Sequence, residues 1–236
     1  MKKLVLPVLT VVAAALLAAA VYWVFIKAPV QYSLTPDGHL IQSSLFFNQK
    51  IFYFHVAHAF MLFAAVFVAG VSSIVFLAKR DPRWDDIAYA AVEVAVMFGA
   101  VVLITGSIWA KAAWDVWNWE PRLTTSLLLW LILLGYAIVR RFAGPSADRV
   151  AAGMAIFGMV GVPFIYVMVG EDSHPPSGAK GVVMNLGPEY KTAFQLSALA
   201  FMLWFVVLMI TRIQSARAER EVRELRERGL DLGVLQ

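Results

Sequence analysis

The chain has 236 residues, of which 61% are hydrophobic and 15% are charged, and its formal net charge is +4. Soluble globular proteins carry about 25% charged residues, so this composition excludes an ordinary soluble domain and favours a membrane protein. The chain has no cysteine, which excludes disulfides and thiolate metal sites. Any metal bound here would need histidine, carboxylate or thioether ligands.

Six apolar runs follow one another along the chain, and each is long enough for a membrane-spanning helix, which needs about 20 residues. The runs are Leu4–Ile26, Ile51–Ala78, Ile87–Ala110, Leu123–Val139, Val150–Gly170 and Thr192–Thr211. They lack the alternation of apolar and polar residues that is typical of a membrane β-barrel. The sequence therefore predicts an all-α polytopic membrane protein, a bundle of six transmembrane helices. The first run could also be a secretory signal, but its apolar core exceeds the usual length of about 7–15 residues, which favours an uncleaved helix.

Basic residues are distributed unevenly over the two sides that six spans define. If the N-terminus is cytoplasmic, 14 of the 20 Lys and Arg residues lie on the cytoplasmic side, in agreement with the positive-inside rule. The sequence thus predicts that both termini are cytoplasmic and that segments 27–50, 111–122 and 171–191 face outward. The positive net charge then reflects membrane topology and gives no reason to expect nucleic acid binding.

The end of the chain is far more charged than the six runs. We expect a transmembrane domain over residues 1–211 and a cytoplasmic helical tail over residues 212–236. Two pairs of opposite charge at i,i+4 spacing favour a solvated helix in the tail, Glu219 with Arg223 and Glu224 with Arg228. Gly229 is a plausible end for this helix.

The segment from Trp114 to Arg122, here called the tryptophan segment, connects the third and fourth runs. With Trp109 it places four of the eight tryptophans within eleven residues. Tryptophan also gathers at membrane interfaces without any further function, but such a belt spreads over many helix ends, whereas these residues are concentrated. The segment is typical of a flat apolar shelf suited to a large planar ligand such as haem. Charged residues edge the shelf, namely Lys111, Asp115, Glu120 and Arg122.

His55 and His174, two of the four histidines, fall on the same side of the membrane as the tryptophan segment in this topology. His55 lies about four residues inside the outer start of the second run, and His58 follows on nearly the same helix face, one turn deeper. At most one of these two is expected to bind the iron of a haem on the shelf. His174 precedes Pro175 and Pro176, which stiffen an outward loop. His39 lies in a turn-like stretch and is interpreted as a surface residue.

These residues resemble the signature of the haem-handling WWD family of membrane proteins, and within it the C component of bacterial cytochrome c maturation systems (CcmC type). The resemblance rests on Gly106–Lys111 followed by 114–124, on Tyr53–Val56, and on the position of His174. It covers nearly the whole chain. The departures are a tryptophan segment that is one residue shorter, an aspartate at 115 in place of glycine, a glutamate at 120 in place of aspartate, and an alanine at 57 in place of proline.

The resemblance implies a haem-binding and haem-delivery protein of the bacterial cytoplasmic (inner) membrane, a carrier or assembly factor rather than an enzyme. Haem b would be held at the periplasmic face between His55 and His174 as axial ligands. The cofactor-binding residues it implies are His55, His174, Trp109, Lys111, Trp114, Trp117, Trp119, Glu120 and Arg122. Implied partners are the membrane-anchored haem chaperone CcmE, the ABC transporter subunits CcmA and CcmB, and the small subunit CcmD. Residues 1–211 would form the haem-handling domain.

Two alternatives belong to other functional classes. A transporter of haem or another small molecule is favoured by Glu93, the one acidic residue within the six runs, because acids inside a membrane are often functional. A b-type electron-transfer cytochrome needs histidine pairs on facing helices, yet only the second run contains histidine. We therefore expect the cytochrome to be the less probable of the two.

Overall fold

The structure is a computed structural model that describes residues 2–30, 32–42, 47–114, 121–143, 147–167 and 182–234. Within these ranges, six α-helices are long and apolar enough to cross a membrane. They are α1 (Lys2–Tyr22), α2 (Lys50–Lys79), α3 (Pro82–Trp114), α4 (Pro121–Phe142), α5 (Ala147–Val167) and α6 (Pro188–Asp231). The six-helix prediction is thereby confirmed for the helices themselves. The orientation of the termini stays a prediction from the charge distribution.

Two small elements between α1 and α2 were not anticipated. A π-helical turn, Trp23–Lys27, extends α1, and strands β1 (Tyr32–Leu34) and β2 (Leu40–Gln42) form an antiparallel hairpin. Gly38 has φ +80° in the connecting turn, a conformation that favours glycine. His39 is exposed in the same turn, as the sequence predicted.

Helix α2 lies at the centre of the bundle and packs against α3, α5 and α6. Small residues allow the close approach, as is common between membrane helices: Ala65 and Ala69 are fully buried. At Gly70, a Cβ atom would lie 2.5 Å from Cβ and Sδ of Met159 on α5. These contacts hold the middle of α2 close to its neighbours in the bundle.

Lys50, the first residue of α2, is only 3% exposed and connects α2 to the end of the first helix. Its ammonium group donates hydrogen bonds to the carbonyl oxygens of Val24 (2.6 Å) and Ala28 (2.5 Å). The last carbonyls of a helix lack partners within the helix, and here a buried cation binds two carbonyls at the end of the π-helical turn. This contact fixes the start of α2, five residues before His55.

Helix α6 continues without a break far beyond Thr211, where the last apolar run ends. The predicted pairs within its charged part are wrong: Glu219 accepts from Arg212, and Glu224 accepts from Arg220. Both arginines also bind carboxylates of α3, a long-range contact that the i,i+4 rule does not include. The helix ends at Asp231 rather than near Gly229, and Gly233 with φ +66° follows it.

Candidate functional site

The centre of the candidate site is His55, which is half-buried on α2 and faces α3. Its Nδ1 atom lies 2.9 Å from the hydroxyl oxygen Oγ1 of Thr105. Thr105 is itself hydrogen-bonded to its own helix, since its hydroxyl donates to the Val101 carbonyl at 2.6 Å. The imidazole is thus held against a definite position of α3.

The neighbouring Gly106 makes room for the imidazole ring. A Cβ atom at this position would lie 2.9 Å from Cε1 of His55, and 3.6 and 3.7 Å from its two ring nitrogens. The first distance is too short for an undisturbed contact, so a larger residue would displace the ring. The close approach of α2 and α3 at the histidine therefore depends on glycine.

Trp109 lies on the same face of α3 as the contact with His55, because it follows Thr105 at i+4 and Gly106 at i+3. It is half-buried, as is Lys111 two residues later. Arg122, also half-buried, lies in the first turn of α4, which begins with Pro121. The end of α3 and the start of α4 thus bring two cations and one large aromatic side chain to this end of the bundle.

Most of the predicted shelf lies outside the described residues. Positions 115–120 contain Trp117, Trp119, Asp115 and Glu120, and the side chain of Trp114 also belongs to the part left undescribed. The second predicted ligand, His174, lies in the undescribed range 168–181. The roles given to these residues remain predictions. Among the residues that the structure describes, no group of three or more His, Asp or Glu side chains could hold a metal ion.

His58 has a different environment, within the packed bundle. Its Nδ1 atom is 2.7 Å from the Phe54 carbonyl oxygen and donates to it, because a carbonyl can only accept. The ring packs against Phe201 and Phe98, with centroid distances of 4.1 and 5.4 Å. These contacts are those of a packing residue, and they agree with the expectation that at most one of the two histidines binds iron.

Thr105 is the residue of this site that sequence reasoning missed. A threonine within an apolar run gives no signal by itself, because its hydroxyl commonly bonds to the carbonyl four residues earlier. Gly106 was part of the recognised motif, but its contact with His55 depends on the register between α2 and α3. The sequence did contain a pattern that could have pointed to Thr105. A helix places it on one face with Gly106 and Trp109, which both belong to the recognised motif.

Comparison with known proteins identifies the family of this chain. Residues 1–228 match the family described as heme exporter protein C. Heme exporter protein C of Bradyrhizobium diazoefficiens is 32% identical over 234 residues, covering 94% of this chain and 82% of the relative. The protein of the same name from Paracoccus denitrificans is 27% identical and covers 94% of this chain and 90% of its own. The Escherichia coli K12 protein is 25% identical, with 89% and 82% covered. The chain belongs to the heme exporter protein C family.

Proposed function

We propose that this protein binds haem where α3 ends and α4 begins, and delivers it for cytochrome c maturation. The observation that carries the proposal is the half-buried imidazole of His55, which is fixed against α3 one helical turn before Trp109. Membership of the heme exporter protein C family supports haem as the ligand. The protein is then a carrier or assembly factor of the bacterial cytoplasmic membrane, with its haem site facing the periplasm.

The described residues have side chains of the kinds that bind haem, and they would contact it from one side. Haem supplies an iron that takes imidazole ligands and an extended apolar ring with two carboxylates. In this proposal His55 and His174 bind the iron, and the tryptophans of the tryptophan segment support the ring. Arg122 and Lys111 bind the propionates, and the planar guanidinium is suited to two parallel hydrogen bonds.

The partners follow from the same proposal. A carrier has to release its ligand, so the receiving protein must reach the haem from the side where the shelf is open. We propose the haem chaperone CcmE as the receiver, with CcmA, CcmB and CcmD as the other subunits of the complex. The chain itself positions the haem and holds its redox state, while chemical change occurs on the chaperone.

The test is the absorption spectrum of the protein purified in detergent, before and after addition of haem. We expect a low-spin spectrum with two histidine ligands, which His55→Ala and His174→Ala each degrade. His58→Ala is the control, because that ring binds a backbone carbonyl and packs in the bundle. A wild-type protein that neither carries nor takes up haem would overturn the proposal. Loss of the spectrum only in the His58 variant would place haem inside the bundle and favour the cytochrome.

Glu93, the residue that favoured the transporter alternative, has a contact that joins two helices. Glu93 forms an ion pair with Arg212 of α6, and this pair accounts for an acid near one end of the third span. The arginine comes from the part of α6 that follows its apolar run. An acid that pairs with a basic residue of another helix joins the two helices, and does not by itself mark a transport path.

A further inference from the structure

The direction of the hydrogen bonds around Thr105 has a chemical consequence for His55. The Thr105 hydroxyl oxygen lies 2.6 Å from the Val101 carbonyl oxygen and 3.5 Å from that of Val102. Two oxygen atoms repel each other at 2.6 Å unless a proton lies between them, and the carbonyl has none to give. The hydroxyl therefore uses its single proton in the bond to Val101.

It follows that the same hydroxyl meets His55 as an acceptor. Its oxygen is 2.9 Å from Nδ1 of the imidazole, a normal hydrogen-bond distance. Because the hydroxyl has no second proton, Nδ1 must carry the hydrogen of this bond. In a neutral imidazole with a proton on Nδ1, the lone pair that can bind a metal belongs to Nε2.

We propose that Thr105 is a positioning residue that selects this tautomer and so makes Nε2 of His55 the atom that binds iron. The inference rests on the proposed function and adds the atom and the residue that controls it. Histidines that bind metals usually donate their other N–H to an oxygen acceptor, which orients the ring and raises the basicity of the ligand. Gly106 completes the arrangement, since a Cβ atom there would lie only 2.9 Å from Cε1 of the ring.

The effect on bound iron has a definite sign. An imidazole whose Nδ1–H donates a hydrogen bond is a stronger electron donor, which favours ferric over ferrous iron. Loss of the acceptor at position 105 weakens haem binding by about 10- to 100-fold, the usual effect of removing such an outer partner. It also raises the midpoint potential of the haem that remains bound.

The variants for a test are closely matched. Thr105→Val keeps the side-chain shape and removes the hydroxyl, while Thr105→Ser keeps the hydroxyl. Thr211→Val is the control, because Thr211 makes the same bond to its own helix (2.8 Å to the Val207 carbonyl) at a site on α6. We expect weaker haem binding and a higher potential in Thr105→Val alone, with wild-type behaviour in the serine variant and in the control.

A second measurement is independent of haem. Nitrogen-15 NMR of the haem-free protein, labelled at histidine, distinguishes a protonated Nδ1 from a protonated Nε2, and the signal missing in His55→Ala identifies the residue. We expect a protonated Nδ1 in the wild type and a mixture of tautomers in Thr105→Val. A protonated Nε2 in the wild type would overturn the inference, and so would unchanged affinity and potential in Thr105→Val. Failure of the wild type to bind haem overturns the proposed function itself, so the two failures are distinguishable.

Discussion

The two ends of α3 differ in what their polar residues do. At its start, Asp85, Asp86 and Glu93 bind arginines from α4 and α6, in what we call the arginine network. Near its end, the Thr105 hydroxyl is hydrogen-bonded to the imidazole of His55. With a rise of 1.5 Å per residue, Thr105 lies about 30 Å along the helix from Asp85 and about 18 Å from Glu93. The first distance is close to the thickness of the membrane core.

The polar groups at the two ends have different chemistry. Each acid of the arginine network accepts from an arginine of this protein; the bonds are Arg140 to Asp85 (2.6 Å), Arg220 to Asp86 (3.1 Å) and Arg212 to Glu93. Asp86, Glu93 and the three arginines line a cavity of about 430 Å³. Such matched pairs join helices. At the other end, the group held between α2 and α3 is an imidazole, a side chain that commonly binds metals.

The largest effect on stability is expected at the arginine network. Asp85→Asn leaves Arg140 without its carboxylate at a place where both side chains are nearly buried (12% and 11% exposed). Breaking a buried pair costs about 3–5 kcal/mol, and we expect about 3 kcal/mol here because neither group is fully enclosed. Thermal unfolding in detergent measures the loss. Haem affinity should stay at the wild-type level, and a parallel loss of haem would show that the two ends are not separate.

A smaller loss of stability, combined with a loss of haem binding, is expected for Gly106→Ala. The new Cβ lies 2.9 Å from Cε1 of His55 and pushes the ring away; overpacking of this kind costs about 1–3 kcal/mol. Haem titration and thermal unfolding of the same sample give both effects. Gly153→Ala on α5 is the control, since no atom lies within 4 Å of its added Cβ. There, better helix propensity should raise stability slightly, by about 0.5–1 kcal/mol.

The smallest effect is expected at the exposed edge of the arginine network. Glu224 pairs with Arg220 at i,i+4 and is 45% exposed, and such surface pairs contribute about 0.3–0.5 kcal/mol. Glu224→Gln should therefore shift unfolding only slightly, and less in 1 M salt because ions screen the pair. A loss as large as that of Asp85→Asn would mean that Glu224 belongs to the buried part of the network.

The helices were predictable from the sequence because membrane spans are continuous apolar runs. Such runs are recognised without knowing which residues meet in the folded chain. The partner of Glu93 was not predictable, because Arg212 follows Glu93 by 119 positions and reaches it only when α3 and α6 pack. The site divides in the same way. His55, Trp109, Lys111 and Arg122 were predicted as site residues from their type, their local spacing and the family resemblance, and their roles stay predictions. Thr105 acquires its role from the register of α2 against α3, which spacing along one helix does not contain.

The uninterrupted course of α6 has a mechanical consequence. Its 44 residues form a rod of about 66 Å, roughly twice the thickness of the membrane core. Near its start, Phe194 packs with Tyr53, two residues before His55. Beyond its apolar run, Arg212 and Arg220 attach it to α3. A continuous helix tilts as one body. We therefore expect a displacement of the charged end of α6 to shift its other end, which packs near the first turn of α2.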